Sequence, residues 1–255
     1  MARYILEACV DSVESAQAAA RGGADRLELC ANLVIGGTTP TPALFRAARE
    51  AVSLPIHVLI RPRFGDFLYT PAEREIMVRE VESFAALGAD AVVIGALRPD
   101  GTLDRAVMEE LIAAAGGRKV TLHRAFDVCR DPREALEEAV SLGVDTILTS
   151  GQAPSAWEGR AVIADLLQRA GDRVEILIGG GVSAGTIRDL RELCPAARSF
   201  HLSGKKVLDS GMRYRNPAVS MGLPGISEFQ VWRTDEEAIR AAARALRGED
   251  CHGGL

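Results

Sequence analysis

Eight short β-rich runs alternate along this chain with eight segments that carry helix-start signals, and this alternation restricts the fold more than any other feature. Eight strands alternating with eight helices over about 250 residues are typical of a (β/α)8 barrel, an α/β fold. We therefore predict a single TIM-barrel domain for residues 1–255, with the barrel at about 3–247 and a polar tail at 248–255. The runs are YILEACV, RLELC, IHVLIRP, AVVIGAL, VTLHRAF, TILTSG, EILIGG and SFHLSG.

The helix starts are recognised from capping chemistry, because a side-chain oxygen at the N-cap accepts a hydrogen bond from an otherwise unpaired backbone N–H group. Five starts have a Glu three residues after the cap, and three have less support. A helix-to-strand junction also recurs, as GGADRLEL, LGADAVVI and LGVDTILT, in which Gly closes the helix and Asp turns the chain into the next strand. The predicted caps are Asp11, Thr70, Asp131, Ser155 and Thr234 in the first group, and Thr41, Thr102 and Ser183 in the second.

The main alternative fold is a doubly wound open sheet. Its dinucleotide-binding form carries GxGxxG after the first strand, whereas the corresponding turn here has the sequence CVDSVESA. No Pro/Gly/Ser-rich linker or low-complexity segment divides the chain. The sequence therefore favours one barrel.

Charge and composition exclude several classes of partner. The 30 Lys and Arg residues are scattered and are outnumbered by 35 Asp and Glu residues, so no basic patch for nucleic acid is expected. No apolar run reaches the roughly 18 residues needed to cross a bilayer, and the N-terminus lacks the zones of a signal peptide. We therefore expect a cytoplasmic protein with no membrane partner. The 5 cysteines lack CxxC spacing and are odd in number, which favours free thiols.

Two Glu-x-Cys motifs stand inside apolar strand patterns. Because successive side chains of a strand point to opposite faces, Glu7 and Cys9 share one face of LEACV, and Glu28 and Cys30 share one face of LELCA. With the apolar face against helices, the two carboxylates and two thiols point into the barrel. A single Cys in such a strand is usually an inert small hydrophobe. Two at matching places on strands about 4.8 Å apart can share one soft ion such as Cu(I).

Further polar residues follow the third and fifth strands, at the end of the barrel where functional groups collect. Arg61 and Arg63 are suited to holding a carboxylate or phosphate, or alternatively neutralise the two buried Glu side chains. His123 and, if the strand geometry persists, Asp127 share one face of TLHRAFD. His57 begins its strand, and we expect it to have a packing role. The candidate acid and base groups are Glu7, Glu28, His123 and Asp127.

The loops after the last three strands are rich in Gly and hydroxyl groups, as is typical of phosphate-binding loops in such barrels. A Schiff-base mechanism is not favoured, because Lys119 starts its strand at the wrong end, and Lys205 and Lys206 lie beyond the eighth strand. The candidate anion-binding residues, besides Arg61 and Arg63, are Ser150, Gly151, Gly179, Gly180, Gly181, His201, Ser203, Gly204 and Lys205.

The motifs CVDS, GGADRLELC, GGTTP, RPRFGDFLY, HRAFD, LTSG, GGGV and DSGMRYR, in this order, resemble those of the CutC family of copper homeostasis proteins. The resemblance extends from about Leu6 to Met221. It implies a cytoplasmic (β/α)8 barrel that is commonly a homodimer, and it implies Cu(I) binding with Cys9 and Cys30 as ligands. One departure is local: the eighth strand continues as HLSGKK where the family pattern has an Ala and often an Arg, which weakens an anion contact by Lys205.

Three functions are open at this point. The resemblance favours copper binding, with the copper ion as partner. The polar mouth alone favours an isomerase, epimerase or lyase for a small phosphorylated or carboxylated metabolite, with a divalent metal possible at the carboxylates. A scaffold role ranks last, because unused buried charges would be replaced. The connection from Ser203 to Arg233 is long for a barrel, and we predict that DSGMRYR within it closes over the mouth or supports a dimer.

Overall fold

A closed parallel barrel of eight strands, β1 to β8, surrounded by eight helices, forms the described part of the chain, so the predicted (β/α)8 fold is confirmed. The computed structural model describes residues 4–216, 218–219 and 225–249. Met221, Cys251 and residues 250–255 of the predicted tail lie outside the described residues. Short 3-10 helices occur at Leu33–Ile35 and Arg124–Val128. The strands and helices, in chain order, are β1 (Ile5–Val10), α1 (Val13–Gly22), β2 (Arg26–Leu29), α2 (Pro42–Ala51), β3 (Ile56–Leu59), α3 (Pro71–Ala86), β4 (Ala91–Ile94), α4 (Arg105–Ala114), β5 (Lys119–Leu122), α5 (Pro132–Ser141), β6 (Thr146–Thr149), α6 (Arg160–Ala170), β7 (Glu175–Ile178), α7 (Ala184–Leu193), β8 (Ser199–Leu202), β9 (Lys205–Asp209), β10 (Gln230–Thr234) and α8 (Glu236–Arg247).

The two faces of the strands separate as the alternation predicts. Leu6, Ala8 and Val10 of β1 belong to the large hydrophobic core between the barrel and its helices. Cys9 and Cys30 instead form a small separate cluster with apolar side chains of β3 and β4. The Glu and Cys side chains therefore lie inside the barrel, and the apolar set packs outward on the helices.

The recurring Gly-x-Asp junctions have one structural role. Asp25, Asp90 and Asp145 each accept a hydrogen bond of 2.8 Å from a backbone N–H at the start of the preceding strand. Each carboxylate thus joins the start of one strand to the junction that leads into the next. This contact explains why the same short motif precedes β2, β4 and β6.

The predicted helix starts are confirmed at Thr41, Thr70, Asp131 and Ser183. The other four are wrong by one to four residues. Ser12 caps α1 instead of Asp11, Asp104 caps α4 instead of Thr102, and Asp235 caps α8 instead of Thr234. Ser155 does accept a hydrogen bond from Glu158 N, but this closes only a single turn, and α6 begins after Gly159. Neighbouring capping residues compete at such starts, and spacing alone does not choose between them.

The connection from Ser203 to Arg233 contains a two-stranded antiparallel sheet, β9 and β10, outside the barrel. It exposes several apolar side chains, and none of its described residues from 205 to 233 lines the cavity at the barrel mouth. The prediction that DSGMRYR closes over the mouth is therefore wrong for this structure, whereas its role in a homodimer stays a prediction. No helix among the described residues is long and apolar enough to cross a membrane. The exposed apolar residues are Val207, Leu208, Met212, Tyr214 and Val219.

Candidate functional site

A cavity of about 270 Å³ opens at the carboxyl ends of the barrel strands, where (β/α)8 proteins carry their functional groups. A larger depression of about 840 Å³ lies at the opposite end, and its polar lining includes Arg26, His57 and Lys119. That end of the fold serves stability rather than chemistry. The predicted residues that line the mouth cavity are Cys9, Glu28, Arg61, His123, Gly180, Gly181, His201 and Ser203.

Cys9 is the centre of a compact cluster on the cavity floor. Its Sγ lies 3.6 Å from Sγ of Cys30 and donates a hydrogen bond of 3.0 Å to Oε2 of Glu28. Ligating atoms of Cys9, Glu28 and His201 all lie within 4.8 Å of one another. The hydrogen bond with Cys30 and burial raise the pKa of the Cys9 thiol well above its usual range. The cluster therefore holds protonated thiols at neutral pH.

Glu7 lies below this cluster and joins its own strand, β1, to β2 and β8. Arg26, its neighbour on β2, donates to one carboxylate oxygen, and Nδ1 of His201 on β8 lies 2.8 Å from the other. Nδ1 of His57 on β3 is 3.5 Å away. Burial raises the pKa of Glu7, but Arg26, His201 and His57 outweigh it and keep the pKa well below the usual range. Glu7 is therefore an ionised structural anchor, fully committed to its partners.

The alternative prediction that Arg61 and Arg63 neutralise the two Glu side chains is wrong. Glu7 pairs with Arg26 instead, and Arg26 also pairs with Glu175 at 2.8 Å. Arg26 was missed because it starts its strand, and residues at that end were assigned to packing. The sequence does place Arg26 on the same face of β2 as Glu28, because side chains two residues apart in a strand point to the same side.

His201 presents one ring nitrogen to the cluster and the other to Glu7. Its Nδ1 is held by Glu7, and its Nε2 lies 3.9 Å from Oε2 of Glu28. Burial lowers the pKa of His201, but Glu28, Cys9 and Glu7 raise it well above the usual value. A carboxylate behind a histidine in this way fixes the ring and is the usual support of a metal-binding imidazole.

The two predicted arginines of the third strand have different positions. Arg61 lines the cavity, and its guanidinium donates to the carbonyl oxygens of Gly37 and Gly65 at 2.9 and 2.8 Å. Arg63 lies outside the cavity and is bound by Glu73 and Asp66. Only Arg61 is placed to meet a ligand in the mouth.

His123 lines the cavity, whereas the prediction that Asp127 shares its face is wrong. The strand ends at Leu122, and the 3-10 helix that follows turns Asp127 toward the next loop. There its carboxylate accepts hydrogen bonds from Thr149 Oγ1 at 2.6 Å and from Ser150 N at 2.9 Å. Asp127 thus fixes the loop after β6 and does not reach the mouth. Arg124, which sequence analysis did not single out, lines the cavity from the same 3-10 helix.

Only some of the predicted anion-binding loop residues line the cavity. Gly180 and Gly181 line the cavity with left-handed backbone angles, φ of 91° and 69°. A Cβ on Gly180 would lie 2.9 Å from Cβ of Ser150, so this close approach requires glycine. Lys205 lies outside the cavity, because its ammonium is 3.9 Å from the centroid of the Trp232 ring in the β9–β10 sheet. The predicted residues Ser150, Gly151, Gly179 and Gly204 do not line the cavity either.

The protonation of His123 predicts a pH-dependent stability. Burial and Arg61 lower its pKa to about 3, so the folded protein keeps the ring neutral, whereas an unfolded His binds a proton below about pH 6.5. The stabilising contribution of neutral His123 to the unfolding free energy is therefore complete above about pH 6.5 and is lost as the pH falls toward 3. We expect the unfolding free energy of His123→Asn to fall less steeply with decreasing pH than that of the wild type, by up to about 1.4 kcal/mol per pH unit.

Urea unfolding between about pH 6.5 and pH 4.5 measures this difference. His57, whose pKa burial lowers to about 4, is present in both proteins and does not affect the comparison. Equal slopes would show that His123 is protonated in the fold.

A model of the CutC family matches residues 4–206, and these include the whole barrel from β1 to β8. The chain belongs to the CutC family. A CutC family protein of Bacteroides fragilis is 47% identical over 233 residues, which cover 90% of this chain and 92% of that protein. The human copper homeostasis protein cutC homolog is 42% identical over 238 residues, covering 93% and 87%.

Solved structures agree with this assignment. A CutC structure from Streptococcus agalactiae superposes with a TM-score of 0.75 at 29% identity, covering 78% of this chain and 98% of that one. N-(5'-phosphoribosyl)anthranilate isomerase from Pyrococcus furiosus has a TM-score of 0.54 at 13% identity, which shows a shared barrel fold and no more. The CutC family is therefore a family of copper homeostasis proteins to which this barrel belongs by sequence as well as by fold.

Proposed function

We propose that this CutC protein binds one Cu(I) ion at the floor of its mouth cavity, through Cys9, Cys30 and His201, and buffers or relays that ion. The observation that carries the proposal is the 3.6 Å separation of the two sulfur atoms, with the His201 ring beside Cys9. An ion about 2.3 Å from both sulfurs, the usual metal–sulfur bond at zinc, would subtend an S–metal–S angle of about 100°. One ion can therefore reach both sulfurs without rearrangement of the strands.

The donor set favours a soft ion over a hard divalent one. Thiolates select Cu(I), whereas Mg²⁺ and similar ions require several oxygen ligands. Glu7 is not free to supply such oxygens, because Arg26 and His201 occupy its carboxylate. Glu28 supplies one carboxylate, which accepts the hydrogen bond of the Cys9 thiol and would take up its proton on binding of the ion, while the protons of the Cys30 thiol and of the His201 ring would pass to solvent. Because only one carboxylate is available, the cluster does not favour an enzyme that holds a divalent metal ion between Glu7 and Glu28.

We infer a reducing compartment such as the cytoplasm, since an odd number of cysteines without CxxC spacing favours free thiols. Cys9, Cys30, Cys129 and Cys194 are all free, and Cys9 and Cys30 are in contact without being joined. Structural disulfides are rare in the cytosol, where thiols stay reduced.

A competition titration tests this function. The full chain, reduced and free of metal, is titrated with Cu(I) against a chromophoric chelator, and we expect one tightly held ion per chain. The variant His201→Gln is expected to bind at least about tenfold more weakly, because it loses the nitrogen donor but keeps both sulfurs.

Cys194→Ser is the matched control, because Cys194 is a free, buried cysteine at the end of α7, remote from the cluster. It is expected to bind like the wild type. Binding that is equal in the His201 variant, or that prefers Zn²⁺ to Cu(I), would contradict the proposed site.

A further inference from the structure

Two buried N–H groups in the walls of the mouth cavity have no hydrogen-bond partner among the described residues: Nε of Arg61 and Nε2 of His123. The two residues are only 9% and 4% exposed, and both line the cavity. A buried polar group left without a partner costs about 1–3 kcal/mol, so native proteins rarely keep one without a function. The other unpaired buried atoms, in His57, Tyr69 and Trp232, belong to residues that do not line this cavity.

The free nitrogen of His123 is a hydrogen-bond donor. Nδ1 accepts a hydrogen bond of 3.1 Å from Ala125 N, so in the neutral ring the hydrogen is on Nε2. The ring packs closely on the backbone of Gly95, where an added Cβ would lie 2.5 Å from its Cε1, and on Phe67 at 4.8 Å between ring centroids. Since burial and Arg61 lower the pKa of His123 to about 3, the ring remains neutral at physiological pH.

The charge of Arg61 is likewise uncompensated. Its two terminal nitrogens donate to backbone carbonyls of Gly36, Gly37 and Gly65, and no carboxylate among the described residues pairs with it. The Phe67 ring lies against both residues, 5.1 Å from the Arg61 guanidinium. Two residues that line the same cavity therefore each carry an unpaired donor, and one of them carries a positive charge, which favours a ligand with acceptor oxygens and negative charge.

The size and lining of the cavity restrict the ligand further. A volume of about 270 Å³ corresponds to about nine water molecules at about 30 Å³ each. Leu33, Leu59 and Leu148 supply apolar wall beside Phe67. Two unpaired donors match the two oxygens of one carboxylate, whereas a phosphate would bring a further oxygen and a second charge beside Glu28.

We propose that the mouth cavity binds a small monocarboxylate with an apolar body, held through its carboxylate by Nε of Arg61 and Nε2 of His123. The site shares its floor with the copper cluster but uses none of the copper ligands. Binding of the acid can therefore be measured without metal. The proposal of an acid site can be confirmed or overturned whether or not copper binds.

The experiment is a calorimetric or NMR titration of the metal-free full chain with 3-methylbutanoate, with its neutral amide and inorganic phosphate as comparisons. We expect saturable one-to-one binding of the acid, and at least tenfold weaker binding of the amide and of phosphate. No saturable binding of the acid, equal binding of the amide, or tighter binding of phosphate would overturn the proposal.

Three variants test the assigned atoms. His123→Asn keeps an acceptor for Ala125 N but lacks Nε2, and Arg61→Lys keeps the charge but lacks the guanidinium; each is expected to weaken acid binding at least tenfold. Arg63→Lys is the matched control, since its guanidinium is bound by Glu73 and Asp66 outside the cavity, and we expect less than a twofold change. If Arg61→Lys fails to fold, His123→Asn decides, because undiminished binding in that variant would overturn the assignment.

Discussion

Replacement of both mouth thiols, in the variant Cys9→Ser, Cys30→Ser, is expected to lower the affinity for Cu(I) by more than about 10³-fold. The loss of a residue that only supports a metal ligand typically costs 10–100-fold, and this variant removes both sulfur ligands themselves. Serine is close in size to cysteine, but its hydroxyl is a hard ligand that Cu(I) does not favour. Competition with a chromophoric chelator under anaerobic, reducing conditions measures the change.

The controls for this result separate ligand loss from damage to the fold. Cys9 and Cys30 are 5% and 0% exposed, so each replacement also places a hydroxyl in a buried position. Circular dichroism and urea unfolding of the double variant therefore accompany the titration. Cys129→Ser, Cys194→Ser carries the same number of replacements at free cysteines away from the cluster and is expected to keep full affinity. A folded double variant at Cys9 and Cys30 that retains wild-type affinity would remove the proposed site.

Removal of the buried guanidinium, in Arg26→Met, is expected to destabilise the protein by about 3–5 kcal/mol. Glu7 is 1% exposed, and without Arg26 it keeps its charge with no strong cation except His201. Breaking a buried ion pair by removing one partner leaves an uncompensated buried charge, which is the origin of the large loss. Urea unfolding at neutral pH measures the change in free energy.

A second replacement tests this explanation. Glu7→Gln in the Arg26→Met background removes the uncompensated charge, and we expect the double variant to recover a substantial part of the lost stability. Arg21→Met is the matched control, because Arg21 also pairs with a Glu but is 59% exposed. A surface pair of this kind contributes at most about 1 kcal/mol. An Arg26→Met variant that is no less stable than Arg21→Met would show that Glu7 takes up a proton instead.

The architecture could be predicted from local chemistry because each barrel unit has a β-rich run followed by a helix-capping residue. All eight β-rich runs form the eight barrel strands, and Thr70 and Asp131 cap the helices predicted for them. The Gly-x-Asp repeat marks junctions whose role depends on a contact with the preceding strand. The exact cap was less predictable at the start of α1, where Asp11 and Ser12 are both capable and only the path of the chain selects Ser12.

The candidate site could be predicted only where side-chain direction follows from a regular strand. Alternation was enough to place Cys9 and Cys30 on the inner faces of neighbouring strands, whereas their 3.6 Å separation also depends on the register between β1 and β2. Asp127 could not be placed, because the 3-10 helix after β5 changes the side-chain period from two to three. The arrangement of His201 with Glu7 depends on the register between β1 and β8, the strands that close the barrel, and nothing local to either segment specifies that register.

This register has a consequence for synthesis at the ribosome. Glu7 and His201 are separated by 194 residues, while both thiols lie within the first 30. A nascent chain therefore exposes its sulfur atoms long before the imidazole and the last strand exist. The three donors proposed for Cu(I) are therefore all present only when nearly the whole polypeptide has emerged.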